Sequence, residues 1–401
     1  MQSTDGQQAF ETTMGAVRDP WTPLAVLRRE RGVIAGDEVP NLSGAAAADD
    51  PTPRFAVLRY DDCARVLRDN TTFSSRVYEG LMGPVMGHTI LEMDEPEHRR
   101  FRSLAGHAFR QKTLERWETE LIEPLAHETI DRFALSGEAE LVNDLTFPFP
   151  VQVIARILGL PHEDYPRFQQ LAFTLTSVGA GYEGSIEASR QLAEILTPIV
   201  QARRADPADD LISELASAES DGETLTDEEI VSYLRLLLPA GSETTYCSIG
   251  SLLLALLTHT DQLDAVRADR ALLPQAIEEG LRWEPPLLTI MRTSSQATSV
   301  CGVDLPAGAV LVINMGAANH DDKRWEDADS FNIFRPQTAH VAFASGPHMC
   351  LGMHLARMET KVALNRIFDR LPNLRLDPDA EPPYITGMTF RSPPRLEVVF
   401  D

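Results

Sequence analysis

Apolar residues recur at helical spacing over most of this chain, and short apolar runs interrupt them. Trp21 to Arg31 predicts a first helix, Phe55 to Tyr60 a strand, and Asp61 to Asp69 a short helix after it. Residues 1–20 are expected to fray, and Asn41 to Pro53, rich in Ala, Asp and Pro, to form a loop. Ser74 to Leu91 is Gly-rich with large apolar residues and no period, which predicts a mobile loop of the kind that often covers a binding site. Residues 115 to 204 read as mainly helical, punctuated by Pro148, Pro150, Pro161 and Pro166, with a loop from Phe173 to Ser185. Asp206 to Asp210 and Glu219 to Glu223 read as exposed acidic turns. Met291-Arg292-Thr293 begins a strand, Ser299 to Ile313 predicts a hairpin around Pro306-Ala-Gly308, and Pro383 to Phe400 predicts another with its turn near Gly387 to Thr389. The pattern is that of a mainly α protein with small β-sheets.

The longest periodic stretch opens with a capping box, Thr226-Asp-Glu-Glu229. Apolar residues then continue almost to His259, roughly 33 residues or ~50 Å of helix. The stretch is apolar nearly all round, so it should cross the core. Its middle reads Leu238-Pro-Ala-Gly-Ser-Glu-Thr-Thr245. Pro239 removes the bond to the carbonyl of Arg235, and Gly241 weakens the next turn, so a break is expected there. Two readings remain for Glu243 and Thr244 at that break. One is a kinked core helix with a threonine bonded back to its own turn. The other is a groove in which an acid and an alcohol relay protons.

The candidate chemistry concentrates between His340 and Gly352, where Cys350 sits in a loop with Gly346, Pro347 and Gly352. Leu351, Leu355, Met358, Val362, Leu364 and Ile367 keep helical spacing after it, and Pro372 ends the run. Cys350 should therefore stand at a helix N-terminus, where unpaired N–H groups favour a thiolate. Three readings compete: a buried inert thiol, a zinc site using His340, His348 and His354, and an axial ligand to haem iron.

Composition narrows the setting. The chain has 401 residues, 43% of them hydrophobic, enough for a sizeable core. No apolar run reaches the ~18 residues needed to span a membrane, and the polar start from Met1 to Thr13 reads as no signal peptide. Cys63, Cys247, Cys301 and Cys350 are too scattered for a disulfide framework, which fits a reducing cytosol. A net charge of −24 argues against nucleic acid or an anionic membrane as partner. Against that background, Arg99, Arg100, Arg102, Arg110 and Lys112 form a basic island. It is a solvated face, or it binds something acidic. His98 and Arg102 share a helix face and together could hold an anionic group.

Phe343-x-x-Gly346-x-x-x-Cys350-x-Gly352 resembles the haem-binding signature of the cytochrome P-450 family. The longer bacterial form matches throughout except that Ala344 stands where glycine is usual. The Ala240-Gly241-x-Glu243-Thr244 run resembles the family's oxygen-activating helix, with Pro239 less usual there. Glu279-x-x-Arg282 and Phe331-Asn-Ile-Phe334-Arg335-Pro336 resemble the parts of its buried Glu-Arg-Arg cluster, which braces the cysteine loop. The His98-x-x-x-Arg102 pair is similar to one on the family's helix beneath the haem, so five such motifs fall in order over residues 90 to 400. The resemblance implies a cytochrome P-450 fold in one haem-binding monooxygenase domain over 21–401, with the long central helix crossing the haem and a flexible 1–20. It implies haem b bound through Cys350 as metal ligand, with His98, Arg102, Arg292 and His348 on the propionates. Ala240, Gly241, Phe343, Gly346 and Gly352 would line the cofactor, and Glu243 and Thr244 would be catalytic. It implies a cytoplasmic enzyme that inserts one oxygen atom from O₂ into a hydrophobic small molecule. Electrons would come from a ferredoxin docking near Arg99, Arg100, Arg110 and Lys112. Substrate contacts are expected from 78–91, from 172–186 (the family's lid), from Leu237 to Ala240, from 287–291 and from 387–389. A peroxide-driven peroxygenase on the same fold and a non-catalytic haem sensor are the alternatives, and the Glu243-Thr244 pair argues against the first.

Overall fold

The computed structural model describes residues 16–36, 52–161, 164–176 and 181–401. Residues 1–15 and 41–51, most of the two segments expected to fray or loop, lie outside it. Residues 16–20 do not fray. Arg391 donates to the carbonyls of Val17 and Arg18 at 2.7 and 3.1 Å, and Arg18 lies over the Tyr384 ring at 3.6 Å.

The central helix runs Asp227–Thr258, 32 residues. Its capping box is formed as the sequence predicts: Thr226 Oγ1 accepts from Glu229 N at 3.1 Å, and Glu229 Oε2 accepts from Thr226 N at 2.7 Å. The expected break at Pro239 and Gly241 does not occur; the segment stays helical through both. Proline deletes one backbone bond, but neighbours hold the rest in line. Helices Pro148–Ile157, Gly181–Ala205, Leu273–Trp283 and Met353–Arg370 pack around it. Gly241 lets one of them approach, since a Cβ there would meet Ile154 Cδ1 at 2.6 Å.

A five-stranded sheet stands beside the helices in the order Val33–Ala35, Arg54–Val57, Val310–Asn314, Thr289–Ser294, Phe73–Ser74. Leu311 pairs with Arg292 and Val312 with Met291, which fixes the arginine's place. The hairpin expected around Pro306–Gly308 forms elsewhere. Strands Thr298–Val300 and Val303–Leu305 turn at Cys301-Gly302, with φ of 53° and 75°. A non-glycine in that left-handed region gives little sequence signal. The C-terminal turn is where it was expected, closed by a Thr386–Ser392 bridge, and Gly387 has φ 121° with Phe390 O 1.9 Å from a would-be Cβ. Strand Glu397–Val399 beyond it pairs with Arg375–Leu376 and Glu138–Glu140.

Three further segments differ from expectation. Ser74 to Leu91 holds short helices at Val77–Leu81 and Gly83–Met86, with Val85 and Met86 buried. Helices Tyr165–Thr176 and Gly181–Ala205 take up 173–176 and 181–185 of the expected Phe173–Ser185 loop, and residues 177–180 lie outside the described residues. Asp210 is buried, not exposed: it caps the Leu211–Ser217 helix by accepting from Ser213 N at 2.8 Å and receives Arg203 at 2.5 Å.

Candidate active site

The cysteine loop is held by its own backbone. Cys350 N donates to Phe343 O at 2.9 Å, and Met349 N to Gly346 O at 3.0 Å. Gly346 has φ 78°, and a Cβ there would lie 2.6 Å from Leu67 O, so only glycine fits. Ala344 takes φ 59°, the left-handed conformation for which glycine is the usual residue. Gly352 has an ordinary φ of −85° and caps the Met353–Arg370 helix, with open space where a Cβ would go.

Cys350 is exposed by surface, yet burial is the largest influence on its thiol and pushes it up; the Gly352 N–H, Arg102 and Arg357 pull the other way. A group open to solvent with protein packed around it lies on the floor of a hollow. The protein alone thus does not favour the thiolate, contrary to expectation, because desolvation outweighs the helix end. Coordination to a metal removes the proton outright. Among the described residues no group of three His, Cys, Asp or Glu is placed to hold a metal ion, so the neighbouring histidines do not gather into a zinc site.

Four residues expected on the propionates converge beside the loop. His98 and His348 stack with centroids 3.9 Å apart. Arg102, one turn after His98 on helix Glu97–Gly106, donates to Met349 O at 2.7 Å. Arg292 enters from its strand, buried, donating to Met291 O at 2.7 Å. Burial, then Arg292, His98 and Arg102, drive His348 down to about 3. Burial also lowers His98, although Glu95 opposes it, and lowers Arg102 and Arg292. Among the described residues neither ring nitrogen of His98 has a hydrogen-bond partner, and Glu95 Oε1 stands 3.5 Å from Nδ1. Orphaned buried donors beside two desolvated arginines fit a group carrying two carboxylates.

Ser75 and Tyr78, which sequence reasoning did not single out for this cluster, belong to it. Ser75 Oγ lies 3.1 Å from His348 Nε2. Tyr78 OH accepts from Met291 N at 2.8 Å, and its ring is deep enough to feel Arg292. Both come from the segment without periodicity, so no pattern marked them.

The central helix passes over this floor. Tyr233 on it feels the charges of Cys350 and Arg102, and its ring meets Phe101 edge-on at 5.6 Å. Two turns on, Ala240 is exposed in the middle of a mostly buried helix, Glu243 is buried, and Thr244 Oγ1 donates to Ala240 O at 2.9 Å. That bond is the one expected of a threonine turned back on its own helix. Gly241 packs against Ile154, leaving no room for a Cβ there.

Behind the loop, Arg282 grips Glu279 through two bonds of 2.8 Å and reaches the carbonyls of Asn319, Ala328 and Ser330. Arg335 lies 3.4 Å from Glu279 Oε1 and binds Asp327 O at 2.9 Å. The anticipated Glu-Arg-Arg brace is therefore formed. A hollow of about 360 Å³ separates it from Phe343, Ala344 and Met349. Across it, Arg357 covers the Phe343 ring at 4.5 Å and binds Glu278 at 2.6 and 2.8 Å.

The family model for Cytochrome P450 matches residues 170–399, more than half of the chain. The chain belongs to the cytochrome P450 family. It is 38% identical over 294 residues to Cytochrome P450 107B1 of Saccharopolyspora erythraea, covering 73% of this chain and 72% of that one. It is 37% identical over 338 residues to the Erythromycin C-12 hydroxylase of the same organism, covering 81% and 84%. The crystal structure of CYP109E1 from Bacillus megaterium in complex with testosterone superposes with TM-score 0.85 at 30% identity, covering 96% of this chain and 99% of that one. The helical architecture with small sheets is thus the cytochrome P450 fold, the cofactor is haem b, and the activity is that of a haem monooxygenase. Among the described residues no helix is long and apolar enough to cross a membrane.

Proposed function

We propose that residues 21–401 form one monooxygenase unit in which Cys350 is the haem-iron ligand and His98, Arg102, Arg292 and His348 hold the propionates. The convergence of these four side chains beside the cysteine carries the reading. Haem b supplies the activation of dioxygen when bound. Met349 O and Phe343 O, engaged by Arg102 and by the Cys350 amide, keep the thiolate where the metal needs it. Buried Glu243, with Thr244 in the turn that exposes Ala240, passes protons inward from the central helix. The surrounding apolar walls keep bulk water away from the reacting atoms.

The substrate is a hydrophobic small molecule. The walls come from the 78–91 segment, from Leu237 to Ala240, and from 287–291 and 387–389, which Leu288 N and Thr389 O tie together at 2.9 Å. Relatives named as an erythromycin hydroxylase and crystallised with testosterone favour a macrolide- or steroid-sized molecule. A ferredoxin-type protein in the cytoplasm delivers the electrons. It docks on Arg99, 82% exposed at its side chain, with Arg110 and Lys112, on the side where Arg102 touches the cysteine loop. Arg100 is withdrawn from that docking set, because Glu223, Glu229 and the Thr224 carbonyl already hold it.

The deciding experiment is the absorption spectrum of the reduced, carbon monoxide-treated protein. The red-shifted band of thiolate ligation is expected in the wild type and absent in Cys350→Ala. Its absence in the wild type overturns the assignment.

A further inference from the structure

The helix that leaves the cysteine loop carries a second clamp. Arg357 lies in its first turns, on Met353–Arg370. The guanidinium meets the Glu278 carboxylate by two bonds, Nε to Oε1 at 2.6 Å and Nη2 to Oε2 at 2.8 Å. Glu278 belongs to helix Leu273–Trp283 and precedes the Glu279 of the Glu-Arg-Arg brace. Successive residues of one helix thus serve two clamps: Glu279 holds Arg282 and Arg335, and Glu278 holds Arg357. His340 Nε2 stands 3.3 Å from Glu278 Oε2, and its Nδ1 accepts from Ala342 N at 3.1 Å, so the proton of the neutral ring faces the carboxylate. Burial works against the Glu278 charge, yet Arg357 and His340 hold its carboxyl down to about 2. The pair is therefore ionised at neutral pH.

Glu278 and Arg357 line two hollows, of about 360 and about 350 Å³, the second reaching Glu118 and Lys361. With open space beside it, the guanidinium is placed by Glu278 more than by packing. It rests over the Phe343 ring, 4.5 Å from the centroid, a cation–π contact. Phe343 is tied to the ligand in turn, since its carbonyl accepts from Cys350 N at 2.9 Å. Arg102 and Arg357 are the two guanidiniums whose charge reaches the Cys350 sulfur. The functional reading above gives Arg102 to the propionates and leaves Arg357 without a role.

We propose that Arg357, placed by Glu278, is a positioning residue that sets the reduction potential of the haem by holding a positive charge behind the thiolate. This rests on the haem-thiolate reading and adds a residue to it. An electron added to the ferric haem increases the negative charge shared by the iron and its sulfur ligand. A cation nearby favours that state and an anion opposes it. Arg357 and Glu278 therefore act with opposite sign, each offsetting part of the other.

The test is a redox titration of the haem-loaded enzyme with dithionite, one electron per haem, with substrate and electron-donor protein left out. Arg357→Gln is expected to make reduction about tenfold less favourable, a fall of ~59 mV in potential. Arg357→Lys keeps the charge and is expected to fall less. Glu278→Gln is expected to raise the potential, because Arg357 then faces the thiolate uncompensated, and the double variant to lie between the two single ones. A merely structural clamp would move both single variants the same way, since each loses the same pair. Shifts of the same sign, or no shift in either single variant, overturn the proposal. Where Arg357→Gln fails to hold haem, Glu278→Gln decides alone, and the absence of a rise overturns it. The carbon monoxide band separates the failures: a normal band without opposed shifts sinks the role of Arg357 alone, whereas a missing wild-type band sinks the haem-thiolate reading.

Discussion

His98 and His348 lie ring on ring, centroids 3.9 Å apart and planes 35° from parallel, one from the helix after Pro96 and one from the cysteine loop. Two imidazoles this close, beside Arg102 and Arg292, cannot both carry a proton unless an anion joins them. His348 is accordingly pushed down to about 3 from an ordinary 6.5. The unfolded chain takes up that proton below pH ~6.5 and the folded chain does not. The cofactor-free protein should therefore lose a few kcal/mol of stability as pH falls from about 6.5 towards 3. Denaturant titrations at stepped pH should show this slope flattened in His348→Gln. An unchanged slope would count against the stacked pair.

Ala344 bears a small strain. Its φ of 59° costs an L-residue with a Cβ roughly 1–2 kcal/mol. Ala344→Gly should therefore raise stability by about 1 kcal/mol, after the extra entropy of an unfolded glycine is subtracted. Thermal unfolding of the haem-loaded enzyme measures it, and a fall in midpoint would contradict the assignment.

Glu359, on the helix that follows the cysteine loop, is 1% exposed, and burial alone raises its carboxyl well above the usual 4.5. Among the described residues no neighbouring charge offsets the burial, and Oε2 has no hydrogen-bond partner. The folded state keeps the acid protonated while the unfolded chain ionises, so stability is lost as pH rises above ~4.5. Glu359→Gln should be more stable than wild type at pH 8, with the gap closing on acidification. A gap independent of pH would refute the neutral acid.

Arg100 and its neighbours Arg110 and Lys112 should separate under mutation. Arg100→Ala removes the pair with Glu229, 2.8 Å away, and should cost about 1 kcal/mol of stability without slowing reduction. Arg110→Glu with Lys112→Glu should leave stability unchanged and slow reduction by a ferredoxin, most of all at low salt. Stopped-flow reduction at several ionic strengths distinguishes them.

Thr244 Oγ1 is engaged with Ala240 O at 2.9 Å but is not fully buried. Thr244→Ala should leave haem binding and fold intact and divert reducing equivalents away from product. The ratio of product formed to NAD(P)H consumed should fall severalfold; an unchanged ratio removes Thr244 from the proton path.

Local signals were legible where chemistry and spacing coincide within one segment. The capping box at Thr226–Glu229 fixed a helix start, and the following apolar run gave its length to within a residue or two, because both depend on near neighbours. The cysteine loop was readable for the same reason, down to the odd alanine whose backbone proves left-handed. The break predicted at Pro239 failed because packing on every side of the central helix outweighs one lost backbone bond. The hairpin around Pro306 failed because Cys301, not a usual turn residue, takes the positive φ.

What the chain determined alone was its locally encoded features: the capped central helix, the cysteine loop and the residue types of the candidate site. Tertiary structure decided which of those residues meet. His98 reaches His348, Ser75 joins them from an aperiodic segment, and Glu278 holds Arg357 over the Phe343 ring. Charge and burial act between residues far apart in sequence, so a desolvated cluster, and the proton affinities that follow from it, exist only once the chain has closed around them.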